Sequence, residues 1–562
     1  MSGRLLNRRE IIGLFGGAAT LSVTRYMSVA GNSPSRRPNL LFLLADDQCF
    51  DTIHALGNDV IQTPNLDALV HNGATFTQAF VPNPACAASA AAVLTGCDGF
   101  RSGVRFVSDK INATLPTWPQ LLEKSGYLTR YIGKWHNDGR PEDRGFHQVR
   151  FLCTGETNGH VVKFEGGGKS ITGFSSELFA EAVIEFLKSA PPDPFLAYVA
   201  FTTPHSPRKS EQLPEKYRNM YNPSTIPLPA NFMAEHPFDN GDLKAGDEQL
   251  LPWPRTPEAV RAEIADYYCM ISSLDERVGE IMATLGATGL AANTIVIYAS
   301  DNGVALGQHG LLGNSCLYEH SLRVPLIVSG PGIPKDVRFD ASCYLYDIYP
   351  TICDLVGIET PKTVEGMSLM PILTGKQKAV RSCILGSYKD LQRMIRTEGW
   401  KLIWYPQIDK MQLFEVAKDP LEMSDLANDP AQAQRLAELS AKLADWMKLV
   451  GDNAKAPKIS AVANVKEKPP AVSAPTTPSS PKKPTIASKP GVTVKPGISS
   501  SRDTTPERRD TSRDRGNSPR RRNSRMPRGG RMSRGSGMPR VPSNPSGGAG
   551  QGGAPRPGGR PI

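Results

Sequence analysis

The sequence lacks the features that define several common protein classes. Its 562 residues contain nine cysteines and no Cys-x-x-Cys pair, so neither a disulfide scaffold nor a cysteine-based zinc site is expected. An odd number of cysteines also leaves at least one unpaired within the chain. No run of 18 or more apolar residues occurs, which argues against a transmembrane helix.

Two motifs of nucleotide and ester chemistry are also absent. There is no Gly-x-Ser-x-Gly nucleophile elbow and no Gly-x-x-x-x-Gly-Lys-Ser/Thr phosphate loop. The glycine run that ends at Lys169 is more typical of a flexible loop. Serine-hydrolase and P-loop functions are therefore not expected.

The net charge of +10 is unevenly distributed along the chain. From Ala454 onward there are 23 Lys and Arg against 5 Asp and Glu, a net +18, which leaves −8 for residues 1–453. The acidic part gives no support to nucleic-acid binding. The basic part is rich in Pro, Ser, Gly and Arg, and we expect residues 453–562 to be a disordered tail. The tail could bind a polyanion, or it could be a solvated segment without a specific partner; its lack of interleaved aromatic residues argues against base stacking.

The first 30 residues have the composition of an export signal. Arg8 and Arg9 form a twin-arginine pattern, residues 11–23 are apolar and rich in Gly and Ala, and residues 28–30 offer a cleavage site. The apolar stretch is too short to span a bilayer comfortably. We therefore predict a periplasmic or extracellular mature protein without a transmembrane anchor.

Polar residues follow four apolar segments of strand length. Such segments are typical of parallel strands buried on both faces, and ligands bind at the carboxyl ends of these strands. Residues 39–45 precede Asp46 and Asp47, residues 128–132 precede Lys134 and His136, residues 195–202 precede His205, and residues 294–299 precede Asp301 and Asn302. Four such strand ends together favour one shared site.

Helix and sheet signals surround these strands. Thr63 and Pro64 open one helix, and Thr256 and Pro257 open a long amphipathic helix over residues 256–285 that we expect to cover the sheet. Short β-prone runs between residues 387 and 416 predict a small antiparallel sheet. A terminal amphipathic helix follows from Asp429 and stops at Gly451.

Several motifs along the chain resemble those of the sulfatase family in their family order. They extend over roughly residues 37–450 and are Asp46-Asp47, Cys86 with Leu94-Thr95-Gly96, Gly133-Lys134-Trp135-His136, Pro204-His205, Ser300-Asp301-Asn302-Gly303, Leu317-Tyr318-Glu319-His320, Asp347-Ile348-Tyr349-Pro350-Thr351, Trp400-Lys401-Leu402, Leu413-Phe414 and Asp419-Pro420. Each motif is weak by itself, and the ordered set is specific.

The resemblance implies an α/β fold in which a large mixed, mostly parallel sheet lies between helices, with a smaller C-terminal antiparallel sheet-plus-helix module. The implied domains are a twin-arginine-type signal peptide (1–30), a catalytic α/β domain (37–375), a C-terminal subdomain (376–452) and the basic tail (453–562).

The resemblance also implies a set of site residues. Asp46, Asp47, Asp301 and Asn302 would hold Ca²⁺, in preference to Mg²⁺. Cys86 would be oxidised to formylglycine, whose hydrate is the nucleophile. Lys134, His136 and His205 would be catalytic, and substrate contacts would come from Lys134, His205 and Asn314. The implied substrate is a sulfated small molecule or polysaccharide.

The sequence departs from the family pattern at three positions. Ala88 replaces the usual Pro of the Cys86 segment, Ala90 replaces its Arg, and Asn314 stands where a Lys that contacts sulfate is usual. Each lost cation removes a preorganised electrostatic donor. Three hypotheses stay open: an exported sulfatase, a sulfatase-fold protein that binds sulfated ligands without turnover, and a phosphoryl-transfer relative. Specificity would lie in residues 138–169 and 208–255, where the sequence has no readable code.

Overall fold

A computed structural model describes residues 36–154, 161–166, 169–192, 194–244, 246–397 and 399–457. Contacts divide the chain after residue 469, and all described residues belong to the first unit. The predicted export signal and nearly all of the predicted tail lie outside the described residues. Within the described part, no helix is both long and apolar enough to cross a membrane.

The described residues form strands and α-helices that alternate along most of the chain. The strands are β1 (Asn39–Ala45), β2 (Gly73–Phe76), β3 (Ala79–Phe80), β4 (Leu128–Trp135), β5 (Gln148–Thr154), β6 (Val161–Gly166), β7 (Lys169–Phe174), β8 (Phe195–Ala200), β9 (Thr294–Ser300), β10 (Arg323–Val324), β11 (Leu326–Ser329), β12 (Val337–Phe339), β13 (Cys343–Tyr344), β14 (Cys383–Tyr388), β15 (Gln392–Thr397), β16 (Trp400–Tyr405) and β17 (Lys410–Phe414). The helices are α1 (Pro64–His71), α2 (Cys86–Thr95), α3 (Gly99–Ser102), α4 (Trp118–Lys124), α5 (Ser175–Lys188), α6 (Pro257–Ala287), α7 (Glu319–Leu322), α8 (Ile348–Val356), α9 (Met370–Leu373) and α10 (Ala433–Val450).

The central sheet has eight strands in the order β12-β2-β11-β9-β1-β8-β4-β5. Only β11 runs antiparallel to its neighbours β2 and β9; the other pairs are parallel. The four strands predicted from their apolar runs are therefore adjacent, in the order β9-β1-β8-β4. Their carboxyl ends lie side by side at one edge of the sheet.

Both faces of this sheet are buried, which explains why β1 is apolar throughout. Leu40, Phe42 and Leu44 pack into one hydrophobic cluster, whereas Leu41 and Leu43 pack into another on the opposite face. Successive side chains of a strand point to opposite faces, so a strand covered on both sides needs apolar residues at every position. The expected large, mostly parallel sheet between helices is thereby confirmed.

The helix starts and stops follow the local signals. Thr63 and Thr256 are the N-cap residues of α1 and α6, although only the Thr256 side chain accepts a cap hydrogen bond, from Ala259 N. Gly451 ends α10 in the left-handed conformation. On α6, Tyr267 is buried and Tyr268 is half-buried.

The C-terminal module is a four-stranded antiparallel sheet, β14 to β17, covered by α10. Its first strand, β14, was not anticipated from the sequence. Lys401 of β16 is fully buried and pairs with Glu319 of α7 and with Glu422, at 3.1 and 2.7 Å. This ion-pair network joins the small sheet to the domain that contains the central sheet.

Candidate active site

The carboxyl ends of β1, β4, β8 and β9 bring the sequence-predicted residues together. Ligand atoms of Asp46, Cys86, His136 and Asp301 lie within 4.8 Å of one another. A second group, Asp46, Asp47 and His205, satisfies the same limit. The convergence follows from strand order, because adjacent parallel strands deliver their following residues to the same edge.

Asp46 is buried between two cationic or potentially cationic side chains. Lys134 Nζ donates a short hydrogen bond to Asp46 Oδ2, and His136 Nε2 lies 3.5 Å from the same oxygen. Burial by itself would raise the pKa of Asp46, but the charges of Lys134 and the nearby histidines hold it well below its usual range. Burial and the Lys134 charge lower the pKa of His136. Asp46 is thus held as a carboxylate.

Asp47 stands at the centre of a ring of amide and guanidinium donors. It adopts φ 69°, a left-handed conformation that is uncommon for a residue with a Cβ. Its Oδ1 accepts from Asn302 Nδ2 and, at 3.1 Å, from Asn314 Nδ2. Arg208 Nη2 lies 3.8 Å from Asp47 Oδ2. Burial raises the pKa of Asp47, and the negative charge of Asp46 adds to that shift.

Asp301 is the third carboxylate of the cluster, with Asp46 and Asp47. Its Oδ1 accepts from Asp47 N at 3.1 Å, and its Oδ2 lies 3.7 Å from His136 Nε2. Burial and the charges of Asp46 and Asp47 raise the pKa of Asp301 well above its usual value. Three clustered carboxylates repel one another, and a bound cation would relieve that repulsion.

The donor set fits a hard cation. Among the described residues, the buried oxygens Asp47 Oδ2, Asp301 Oδ2 and Asn302 Oδ1 have no hydrogen-bond partner. Buried polar atoms are almost always satisfied, so such a cluster of unpaired oxygens points to a missing positive partner. Carboxylate and amide oxygens are the ligands that Ca²⁺ and Mg²⁺ prefer.

Cys86 lies at the start of α2, against this carboxylate group. Its Sγ is 3.4 Å from Asp46 Oδ1 and 3.9 Å from Asp47 Oδ1, and Asn314 Nδ2 also lies 3.9 Å from it. Burial, Asp301 and the other carboxylates raise the pKa of the thiol well above its usual value. An unmodified Cys86 is therefore a protonated thiol and a poor nucleophile.

The helix that begins at Cys86 is built almost entirely from small residues. Every residue from 87 to 95 is buried, and Ala88 and Ala90 belong to this packed face. The site therefore has no cation at position 90.

All nine cysteines are unpaired, and eight of them are buried.

His205 approaches the site from the segment after β8. Its Nδ1 lies 2.6 Å from the Ser206 carbonyl oxygen, which can only accept, so Nδ1 carries the proton. Its Nε2 lies 3.9 Å from Asp47 Oδ2. A neutral His205 ring therefore has its lone pair on Nε2.

Several of these residues line a cavity of about 400 Å³. They are Cys86, Lys134, His136, His205 and Asn314. The rest of its wall contains side chains that the sequence did not single out: Phe106, Val107, Asp242, Asp247, Tyr388 and Lys389. This volume is in the range of sites that hold small organic ligands.

Arg208 is the main buried charge that sequence reasoning missed. Its side chain is fully buried and lies 3.0 Å from Glu263, 3.5 Å from Asp247 and 3.8 Å from Asp47. Arg208 and Asp242 lie in the segment 208–255 that the sequence assigned to specificity, but nothing in the sequence distinguished them from the other residues of that segment. Lys389 had no signal, because it becomes a neighbour of Asp242 only in the folded chain.

The sulfatase family profile matches residues 38–358. A second profile, described as N-sulphoglucosamine sulphohydrolase, C-terminal, matches residues 307–448. Together these matches include every residue of the site described above.

Curated relatives are sulfatases of several substrate types. The N-acetylglucosamine-6-O-sulfatase of Bacteroides thetaiotaomicron is 26% identical over 494 residues, covering 75% of this chain and 88% of the relative. The ulvan-active sulfatase of Formosa agariphila is 27% identical, covering 75% and 83%. The choline-sulfatase of Rhizobium meliloti is 28% identical, covering 72% and 85%.

Solved structures share the fold. One, in complex with its substrate D-glucosamine-2-N,6-O-disulfate, superposes with a TM-score of 0.65 at 25% identity, covering 74% of this chain and 99% of that chain. The phosphonate monoester hydrolase of Agrobacterium radiobacter, at 22% identity, a TM-score of 0.64 and coverage of 74% and 96%, shows the fold alone. Because the family profile spans more than half of the sequence, the chain belongs to the sulfatase family of sulfuric ester hydrolases.

Proposed function

We propose that this protein is an exported enzyme that hydrolyses sulfate esters of carbohydrates with a formylglycine made from Cys86 and a bound Ca²⁺. The observation that supports it best is the position of Cys86 Sγ, 3.4 Å from Asp46 Oδ1 and at the base of an open cavity. A residue placed there is within reach of both the carboxylate group and an entering ester.

The metal ligands in this proposal are Asp46, Asp47, Asp301 and Asn302, all buried and all offering oxygen. A cation bound there supplies charge stabilisation for the sulfate oxygens. Lys134 donates to Asp46, so its charge also lies beside the place of reaction. Mg²⁺ is the alternative ion, and it demands a stricter octahedral geometry than Ca²⁺.

A hydrated aldehyde at position 86 would supply an attacking oxygen and a second hydroxyl that allows sulfate release. In our proposal Lys134 and His136 hold position 86 and the sulfate in place. Asn314 donates a neutral hydrogen bond to the sulfate. The imidazolium form of His205 gives its Nε2 proton to the leaving sugar oxygen and keeps its Nδ1 proton on the Ser206 carbonyl.

Carbohydrate esters are proposed as substrates because two of the three curated relatives reported above are named for sugar sulfates. The N-acetylglucosamine-6-O-sulfatase and the ulvan-active sulfatase are named for sugar substrates.

Export is proposed because the twin-arginine pattern at Arg8 and Arg9 precedes a short apolar segment.

A second candidate is a protein that binds sulfated ligands without turnover. It is favoured by Ala90, which is buried within α2, and by Asn314, which carries no charge. Loss of one electrostatic donor typically costs about 10²- to 10³-fold in rate.

Mass analysis of the Cys86 peptide, from protein made in its own host, is the test of formylglycine formation. We expect conversion of Cys86 to the aldehyde and no conversion of Cys97, a buried thiol eleven residues away that serves as the internal control. A fully unmodified Cys86 would remove the mechanism and favour the binding role.

Paired assays separate hydrolysis of sulfate esters from phosphoryl transfer. We expect turnover of sugar sulfates that stops on chelation of Ca²⁺ and in Cys86→Ala, and that persists in Cys97→Ala. Hydrolysis of a phosphodiester in preference to every sulfate ester would instead assign the chain to the third hypothesis.

A further inference from the structure

The wall of the cavity combines a carboxylate, an ammonium group and a phenol. Asp242 Oδ2 accepts from Tyr388 Oη at 2.6 Å and from Lys389 Nζ at 2.7 Å. Both residues at the end of β14 therefore bind one side chain from the segment of residues 239–244. This cluster lines the same cavity as Cys86 and has no role in the chemistry described above.

The pair of Asp242 and Lys389 retains hydrogen-bonding capacity toward the cavity. A carboxylate has about four acceptor positions and an ammonium group three donor positions, and the contacts above use only part of them. The side chains are 11% and 27% exposed, respectively, and both line the cavity. An acceptor and a donor side by side match a hydroxyl group, which both donates and accepts.

The same wall has an apolar edge. Phe106 is 38% exposed and Val107 is 65% exposed, and both line the cavity. Lys389 Nζ lies 4.5 Å from the centroid of the Phe106 ring, so the polar pair and the apolar edge are in contact. A sugar ring has hydroxyl groups at its rim and C–H groups on its faces, and it can satisfy both surfaces at once.

The backbone at Lys389 is held in an unfavourable conformation. Its φ of 44° lies in the left-handed region, which is unfavourable for a residue with a Cβ. Buried Arg393 stabilises the turn, because it donates to the Lys389 carbonyl at 2.7 Å and pairs with Asp452. Strain of this kind collects at ligand-binding positions, where the surrounding structure maintains it.

We propose that Asp242, Lys389 and Phe106 form a subsite that binds the hydroxyl-bearing sugar ring to which the sulfate is esterified. The proposal rests on the proposed function, since it assigns the leaving group of the same reaction. The subsite selects polyhydroxylated alkyl esters over aryl esters, which lack hydroxyl groups next to the ester.

The test compares Asp242→Asn and Lys389→Gln on glucosamine 6-sulfate and on 4-nitrophenyl sulfate. We expect each variant to lose about 10- to 100-fold in kcat/KM on the sugar sulfate, the effect of one hydrogen bond to a charged group. Rates on 4-nitrophenyl sulfate should stay within about 2-fold of wild type, since that ester makes neither hydrogen bond. Equal losses on both esters, or no loss on either, would overturn the subsite.

A chemically matched control lies outside the cavity. Lys216 and Tyr217 both bind Glu276, and Lys216 Nζ lies 4.9 Å from the Tyr217 ring centroid. Lys216→Gln and Glu276→Gln should leave kcat/KM unchanged on both esters.

Calorimetric titration of glucosamine 6-sulfate separates this inference from the proposed function. A wild-type protein that turns over neither ester refutes the proposed function. The subsite is still supported if that protein binds the sugar sulfate and the Asp242→Asn and Lys389→Gln variants bind it about 10- to 100-fold more weakly. Equal affinity of wild type and variants, or no binding by wild type, overturns it.

Discussion

At the scale of single residues, the site depends on how buried charges are balanced. Asp46 is compensated by Lys134, whereas Asp47 has Arg208 as its nearest guanidinium. Position 90, where the family has an Arg, is a buried alanine in this chain. The fully buried Arg208 therefore supplies positive charge on the Asp47 side of the site.

Replacing Arg208 with Met should destabilise the protein. Its guanidinium lies within 4 Å of three carboxylates, and removal of one partner from a buried ion pair typically costs about 3–5 kcal/mol. Urea unfolding followed by circular dichroism measures this change. The control is Arg435→Met, at an exposed pair with Glu438, which should cost at most about 0.5 kcal/mol. Equal stability of the two variants would contradict the prediction.

Two buried histidines, His236 and His309, make the free energy of unfolding depend on pH. His309 stacks on Tyr318 with ring centroids 4.0 Å apart, and its Nε2 accepts from Asn231 Nδ2. His236 lies against the His309 carbonyl. Burial lowers the pKa of each histidine to about 4, because a protonated ring would lose solvation there.

These histidines should destabilise the fold at acidic pH. Unfolded histidine has a pKa of about 6.5, so the unfolded chain binds more protons between pH 6.5 and 4. The contribution of these histidines to the free energy of unfolding is fully present above pH 6.5. It is lost as pH falls, by up to about 1.4 kcal/mol per pH unit for each histidine. Chemical unfolding at pH 7, 6 and 5 measures this dependence. The free energy of unfolding of a His236→Gln, His309→Gln double variant should fall less per pH unit than that of wild type. The exposed His71→Gln is the control and should retain the wild-type slope.

At the scale of elements, α2 positions Cys86 by close packing. Its small residues let the helix lie deep in the domain, and Gly96 ends it with φ 68°. A Cβ at Gly96 would lie 2.7 Å from Val364 Cγ1 and 2.8 Å from Tyr349 Cδ1. The end of the helix is thus set by packing as well as by backbone conformation.

Substitution of Gly96 with Ala should therefore cost more than backbone strain alone. Gly126 has a similar φ of 88° with no atom within 4 Å of the position a Cβ would take, so Gly126→Ala isolates the strain. We expect a loss of about 1–2 kcal/mol for Gly126→Ala and about 2–5 kcal/mol for Gly96→Ala. Thermal and urea unfolding of both variants measures the difference. Equal losses would mean that the neighbours of Gly96 adjust without cost.

At the scale of the whole molecule, charge is separated along the sequence. The segment up to residue 453 has a net charge of −8, and the remainder has +18. An acidic enzyme that acts on anionic esters gains little from long-range attraction to them. A basic segment attached to the same chain would supply that attraction.

Removal of residues 458–562 should abolish retention of the protein on a heparin column at low salt. Retention of the full chain should fall steeply as ionic strength rises, because binding of Lys and Arg releases counterions from the polyanion. The truncated protein should keep its melting temperature and its kcat on 4-nitrophenyl sulfate, since every described site residue precedes the deletion. Equal retention of both proteins would show that the tail is a solvated segment.

Local signals in the sequence determined four adjacent strands of the central sheet (β9, β1, β8 and β4), the starts of α1 and α6, the stop of α10, and the family. A strand buried on both faces must be apolar at every position, and Thr, Pro and Gly mark helix ends through backbone geometry, so this information is local. The residues that follow β1, β4, β8 and β9 also drew attention, because polar groups at strand ends are conspicuous.

The tertiary structure alone decided which distant residues became neighbours. Arg208 behind Asp47, Asp242 against Lys389, and Asn314 beside Cys86 are pairs from segments with no common periodicity. The strand β14 was overlooked for a related reason, since its burial comes from the neighbouring strand and α10 rather than from an alternating pattern of its own. Strand order and loop packing set these contacts, and neither is encoded in any single stretch of the chain.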